Sequence, residues 1–166
     1  TSDEAVGTWI NPDNKDAYGL TNDGEADYYD DIGTGIPISN GSYTINGNSI
    51  SFTFGDSTFD VLVANNRINF THNVNSKLYV KRPSLADLAG TYTNTIDIDA
   101  YLLKSNGDAV HYSDYSNRIT NENISYGIDQ LRISFLFLSG YVDATIANDW
   151  NSFAHQADNS NYIKIP

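Results

Sequence analysis

The sequence predicts an all-β chain of two tandem, 83-residue antiparallel up-and-down units, small barrels or flattened sandwiches, over residues 1–83 and 84–166. Three observations carry this. The chain matches itself without a gap at an offset of half its 166 residues. Apolar and polar residues alternate at period two. Asn-Gly and Asp-Gly turn signals recur at short intervals.

The self-match begins where Gly7-Thr8 falls on Gly90-Thr91 and Trp9 on Tyr92. It continues through Asp16-Ala17-Tyr18 on Asp99-Ala100-Tyr101, and Asp31 on Asp114. Ile50-Ser51-Phe52 meets Ile133-Ser134-Phe135, His72 meets His155, and Tyr79, Lys81 and Pro83 meet Tyr162, Lys164 and Pro166. About a third of the aligned positions are identical, which is a duplication.

Within one unit the pattern predicts strands at roughly 7–11, 16–21, 25–30, 42–46, 49–55, 58–64, 67–72 and 77–82, repeated in the second copy. Asn22-Asp23-Gly24 and Asn106-Gly107 are hairpin turns, because Asn, Asp and Gly tolerate the positive φ that tight loops demand. Ile50, Phe52 and Phe54 share one face with Phe59, Val61 and Val63 of the next strand, leaving Ser51, Thr53 and Asp60 on the other. Ser84–Leu88 (SLADL) predicts a single helical turn in the linker.

Composition narrows the function classes. Net charge −12 and a pI near 4.2 exclude nucleic acid and anionic membrane as partners by repulsion. There is no Cys, hence no disulfide framework and no thiolate metal site. The longest apolar run, residues 133–142, is strand-sized, so no membrane insertion by helix is expected. A start at Thr1 without any Met fits a mature exported fragment or a trimmed one, and an extracellular, cell-surface or periplasmic location is expected.

The strand opening GTW or GTY, the Asp/Asn-Gly hairpin, GSYTINGN, and the closing YVK or YIK resemble the lipocalin-like small β-barrels of bacterial exported proteins. The resemblance implies that the opening aromatic closes one barrel end against a basic side chain of the last strand. Here that means Trp9 with Lys81 or Arg82, and Tyr92 with Lys164. The bulky Phe52, Phe54, Phe59 and Phe70 argue against the large internal ligand pocket usual in lipocalins.

No nucleophile elbow, phosphate-cradling loop or paired-acid motif is present, and a non-catalytic role is expected. Tyr28, Tyr29, Tyr112 and Tyr115, with Trp150, are the candidates for stacking on a glycan. Asp16, Asp31, Asp99 and Asp114 recur in both copies and are weak calcium candidates, without EF-hand spacing. No other cofactor is expected. His72 and His155 read as hydrogen-bonded groups at a barrel end. Asn40, Asn69 and Asn123 open N-glycosylation sequons.

Differences between the copies point to function. Asp27 becomes Val110, Thr53 becomes Leu136, Gly55 becomes Leu138 and Arg67 becomes Trp150, so the second copy gains apolar residues at outward or edge positions. Val110, Leu136, Leu138 and Trp150 are therefore expected at an interface, with the other repeat, a partner or a homo-oligomer. The expected function is an exported binding or adhesion module recognising glycan or protein through its outer surface or the groove between repeats. A structural subunit of an extracellular assembly is the alternative, and a small-ligand carrier the third.

Overall fold

Short strands that carry large rings on one face must bury that face, and each half of the chain does so by rolling eight strands into a closed antiparallel barrel. The computed structural model describes residues 2–166, and the chain divides into two compact units that meet at Arg82/Pro83. The first barrel holds β1 (Gly7–Ile10), β2 (Ala17–Leu20), β3 (Glu25–Tyr29), β4 (Ser39–Asn46), β5 (Ser49–Phe54), β6 (Ser57–Val63), β7 (Asn69–His72) and β8 (Leu78–Lys81). The second holds β9 (Gly90–Asn94), β10 (Ala100–Leu103), β11 (Asp108–Asp114), β12 (Ile119–Asp129), β13 (Arg132–Phe137), β14 (Gly140–Ile146), β15 (Ser152–His155) and β16 (Asn161–Ile165).

Every strand pairs with its neighbours in sequence, and the last pairs with the first: Trp9 opposite Lys81 in one barrel, Tyr92 opposite Lys164 in the other. Equivalent pairs recur throughout. Trp9 lies opposite Tyr18 and Tyr92 opposite Tyr101; Tyr43 lies opposite Phe52 and Tyr126 opposite Phe135. Two-sheet sandwiches, left open by the sequence, are replaced by barrels because these closing pairs leave no free edge.

Rings fill both interiors. Trp9, Tyr18, Phe52, Phe70 and Tyr79 are buried in the first, and Tyr92, Tyr101, Phe135, Phe153 and Tyr162 in the second. Their centroids sit about 5 Å apart, at the spacing aromatic pairs prefer: Tyr18–Phe52 at 4.8 Å, Tyr101–Phe135 at 4.5 Å.

One end of each barrel is closed by a single helical turn, α1 (Ser2–Ala5) or α2 (Leu85–Leu88). A capping box between Ser84 and Asp87 starts α2. Ala5 and Leu88 are buried beneath the turns. Lys81 Nζ donates to the Glu4 carbonyl at 2.8 Å, and Lys164 Nζ to the Asp87 carbonyl at 2.9 Å, as a cation should at a helix C-terminus. The same ammonium groups lie 5.9 Å from the Trp9 ring centroid and 5.7 Å from that of Tyr92. The basic partner of Trp9 is thus Lys81.

The copies differ most around β4 and β12. The repeat pattern predicts β12 from about residue 125, but it begins at Ile119. In the first copy Gly33, Gly35 and Pro37 break the chain into a 3-10 turn over Ile32–Thr34. Their counterparts are Ser116, Arg118 and Thr120, and Thr120 pairs with Tyr112 where a proline could not donate. Gly41 marks a second difference. A Cβ there would sit 2.2 Å from the Thr53 carbonyl oxygen and 2.7 Å from Phe54 Cδ1. The equivalent residue is Ile124, buried in the second core, so its strand cannot lie as close to its neighbour.

Trp9 and Trp150, the only tryptophans, report on one barrel each. Gly41→Ala should destabilise the first barrel by about 1–3 kcal/mol through overpacking against backbone. Gly127→Ala, where nothing lies within 4 Å, should change the second by about 0.5 kcal/mol or less. Urea titrations followed by Trp fluorescence measure both. Equal effects would contradict the packing asserted at Gly41.

Candidate functional site

The end opposite the helical turns is built from loops, with the 3-10 turn Ile32–Thr34 in one of them. In the first barrel these are residues 11–16, 30–38, 55–56 and 73–77; in the second, 95–99, 115–118, 138–139 and 156–160. Equivalent hydrogen bonds tie neighbouring loops together: Ile32 N donates to the Lys15 carbonyl, and Tyr115 N to the Ile98 carbonyl. Most large apolar side chains left strongly exposed sit in these loops, among them Ile36, Ile38 and Val74 in one barrel and Ile96, Ile98 and Leu138 in the other.

Beneath the loops each barrel carries one acid. Tyr79 donates its hydroxyl to Asp16 Oδ2 at 2.5 Å, and Tyr162 to Asp99 Oδ2 at the same distance. Burial, and then these hydrogen bonds, push both phenols far above their ordinary range, so they stay protonated and keep donating. Oδ1 of each acid is buried without a hydrogen bond. In the first copy Lys77 Nζ lies 3.4 Å from Asp16 Oδ2, and the Tyr28 hydroxyl donates to it at 3.5 Å. In the second, Ser160 stands in place of Lys77 and His111 in place of Tyr28, with His111 Nε2 3.7 Å from Asp99 Oδ2. The Asp99 side chain is 22% exposed against 4% for Asp16.

The duplicated histidines differ. His72 stacks on Phe59 with centroids 4.6 Å apart, and its Nδ1 accepts from Val74 N at 3.2 Å. Val142 replaces Phe59 in the second copy. There His155 is 8% exposed, packs at 4.7 Å from the Tyr162 ring, and buries Nε2 without a partner. Burial holds all three histidines below their usual pKa; at His155 the nearby Asp158 and Asp99 oppose this and His111 adds to it.

On the outside of the second barrel lies an open groove of about 750 Å³, lined by Ala109, Ile124, Leu136, Phe137 and Leu138 together with Lys104, Asp108, Glu122 and Asn123. The Glu122 carboxylate accepts from Leu138 N at 2.6 Å and fixes that part of the wall. Leu138 is 97% exposed and Leu136 42%.

The remaining expected site residues separate into different places. Tyr28 faces the interior, tilted on Tyr18 at 5.0 Å, because it is in phase with buried Ala26 on β3. Tyr29 lies on the outer face over Gly19, where a Cβ would meet its ring at 3.4 Å. Tyr112 and Tyr115 meet edge to face at 5.5 Å on the β11–β12 hairpin, and Arg118 covers the Tyr115 ring at 4.5 Å. Trp150, expected at a ligand or interface, instead packs against the second core. Val110 is also buried, at 9% exposure. The calcium candidates have other tasks: Asp31 accepts from Gly33 N to cap the 3-10 turn, and Asp114 accepts from Asn117 N and Nδ2. Among the described residues no three His, Asp or Glu side chains are grouped so as to hold a metal ion.

Sequence reading missed the Asp–Tyr pairs, whose members lie 63 residues apart. The available signal was that both Asp and Tyr persist in both copies.

Two outcomes follow for stability. Tyr79→Phe should cost about 1.5–3 kcal/mol, the range for a hydrogen bond to a charged group, in urea unfolding followed by Trp9 fluorescence. A histidine whose folded pKa is depressed binds its proton more readily when unfolded. Stability from the three histidines is therefore full above about pH 6.5 and falls as pH drops below that value. Thermal melts between about pH 8 and 5 should show this loss, reduced in His155→Leu. Melting points flat over that span would contradict it.

Comparison of the chain with protein-family models, curated proteins and solved structures returns no match.

Proposed function

We propose that the chain is an exported or cell-surface, non-catalytic binding module that holds an extended segment of a partner protein in the groove of its second repeat. The observation that carries this is the exposure of Leu136 and Leu138 along a groove with a mixed apolar and polar wall. Apolar anchors with a polar rim are what a peptide segment needs. The charge of −12 favours a segment rich in Lys and Arg, by steering and by complementarity with Asp108 and Glu122.

A protein partner fits better than a glycan. Of the four tyrosines suited to sugar stacking, Tyr28 faces inward, Tyr29 lies on Gly19 and Tyr115 is covered by Arg118. The second repeat has diverged to apolar residues rather than to further planar amides. A second copy of the chain is a weaker occupant, since both carry the same high negative charge.

Selection from a displayed peptide library against the immobilised chain tests this reading. Enriched peptides should combine apolar anchors with Lys or Arg. Their affinity should fall about tenfold or more in Leu136→Ser/Leu138→Ser, and should weaken with added salt. Selected peptides indifferent to the double substitution would overturn it. So would concentration-dependent self-association in light scattering that the substitution abolishes, or glycan-array binding that it leaves intact.

A further inference from the structure

We propose a second binding site, at the loop end of the second barrel: Asp99 receives an organic ammonium group at the position that Lys77 fills in the first barrel. The two barrels carry two copies of one arrangement. In the first, a buried acid is held by a tyrosine hydroxyl and is met by the chain's own ammonium, Lys77 Nζ at 3.4 Å from Asp16 Oδ2. In the second, the acid and the tyrosine are retained, and the lysine is replaced by Ser160.

The backbone that carries this position is the same in both. His72 N donates to the Lys77 carbonyl at 2.9 Å and His155 N to the Ser160 carbonyl at 3.0 Å. Ser76 N donates to the His72 carbonyl and Asn159 N to the His155 carbonyl, with φ of 56° and 61° at the two donors. A lysine at residue 160 would therefore leave the backbone where Lys77 does. The serine cannot span the distance its counterpart does, because its side chain ends two heavy atoms from the backbone and that of lysine five. Asp99 is the more exposed of the two acids, 22% against 4% for Asp16.

The surroundings suit a cation. Asp99 accepts one short hydrogen bond, from Tyr162, with His111 Nε2 at 3.7 Å and Oδ1 without a partner, although a carboxylate can accept about four. His155, nine-tenths buried, keeps Nε2 unpartnered in the same cluster, as Asp99 does Oδ1. Tyr101 and His111, stacked at 4.7 Å, and the Tyr162 ring add aromatic surface for cation–π attraction. His111 does not supply the missing charge at neutral pH, because burial depresses its pKa despite Asp99 beside it. Its Nδ1 accepts from the Asn121 amide at 3.1 Å. A primary ammonium, a compact cation with three donors, has the chemistry of Lys77 itself.

This site does not rest on the groove reading, and either can fail alone. The test is a titration of the full chain with n-butylammonium and with Nα-acetyl-lysine N-methylamide, followed by NMR of the histidine and tyrosine rings. Saturable shifts at His111, His155 and Tyr162 are expected, with dissociation constants on the order of 1 mM for so small a group. Ser160→Lys should abolish them by filling the site from within. Lys77→Ser should create a second set of shifts at Tyr28, His72 and Tyr79. Both variants change a half-exposed position, and the unliganded ring spectrum of each verifies its fold. A blocked lysine binding tenfold tighter than n-butylammonium assigns the site to a protein's lysine, and the reverse order to a free amine. The proposal is overturned if no saturable shift occurs, if n-pentanol or potassium chloride at equal concentration reproduces it, or if folded Ser160→Lys binds as the parent does.

Discussion

Closing eight short strands into a barrel sets the interior volume before any side chain is chosen, and most of this structure answers to that constraint. The strands run in simple sequence order and each is needed to close the ring. The space they enclose is occupied by Trp9, Tyr18, Phe52, Phe70 and Tyr79 in one unit and their counterparts in the other. Rings at contact distance are a packed core. Closure leaves freedom at the loop end of each barrel and on the outer faces of its longer strands.

The two ends of each barrel solve the same problem differently. At one, a helical turn covers the rings and its last carbonyls are satisfied by Lys81 or Lys164, whose stem also lies by Trp9 or Tyr92. At the other, the chain buries a carboxylate under a phenol and leaves apolar loop tips in solvent. A buried acid with an unsatisfied oxygen costs stability, and both copies keep one at this end.

Much of the fold was legible in the sequence because its signals are local or repeated. Alternation placed Phe52 and Phe59 on one face, Asn22–Gly24 marked a hairpin, and the offset of 83 residues divided the chain. The turn Ser2–Ala5 was not expected, although SLADL was and the sequence TSDE at 1–4 offers the same spacing of hydroxyl and acid as SLAD at 84–87. The early start of β12 was missed by assuming that both copies share every boundary, when Pro37 can break a strand that Thr120 extends. The site was less legible. Tyr28 shares the phase of Ala26 and so its inward direction was readable, but the meeting of Asp16 with Tyr79 depends on closure of the whole sheet.

Divergence between the copies is informative only after compensated changes are set aside. Replacing Trp9 by Tyr92 shrinks a ring at the capped end, and replacing Arg67 by Trp150 returns one from a loop of the same φ, packed on the same core. The Tyr92 hydroxyl donates to the Trp150 carbonyl at 3.5 Å, so the two changes meet. These substitutions repack one interior and need no ligand to explain them. The exchange of Gly55 for Leu138 has no such counterpart, since Leu138 is almost wholly in solvent. The exchange of Lys77 for Ser160 removes a cation from beside an acid that stays, and the exchange of Tyr28 for His111 sets an imidazole 3.7 Å from that acid without the lysine's charge at neutral pH. Neither Leu138 nor Ser160 lies within a strand. Both changes fall at the loop end and the groove beside it.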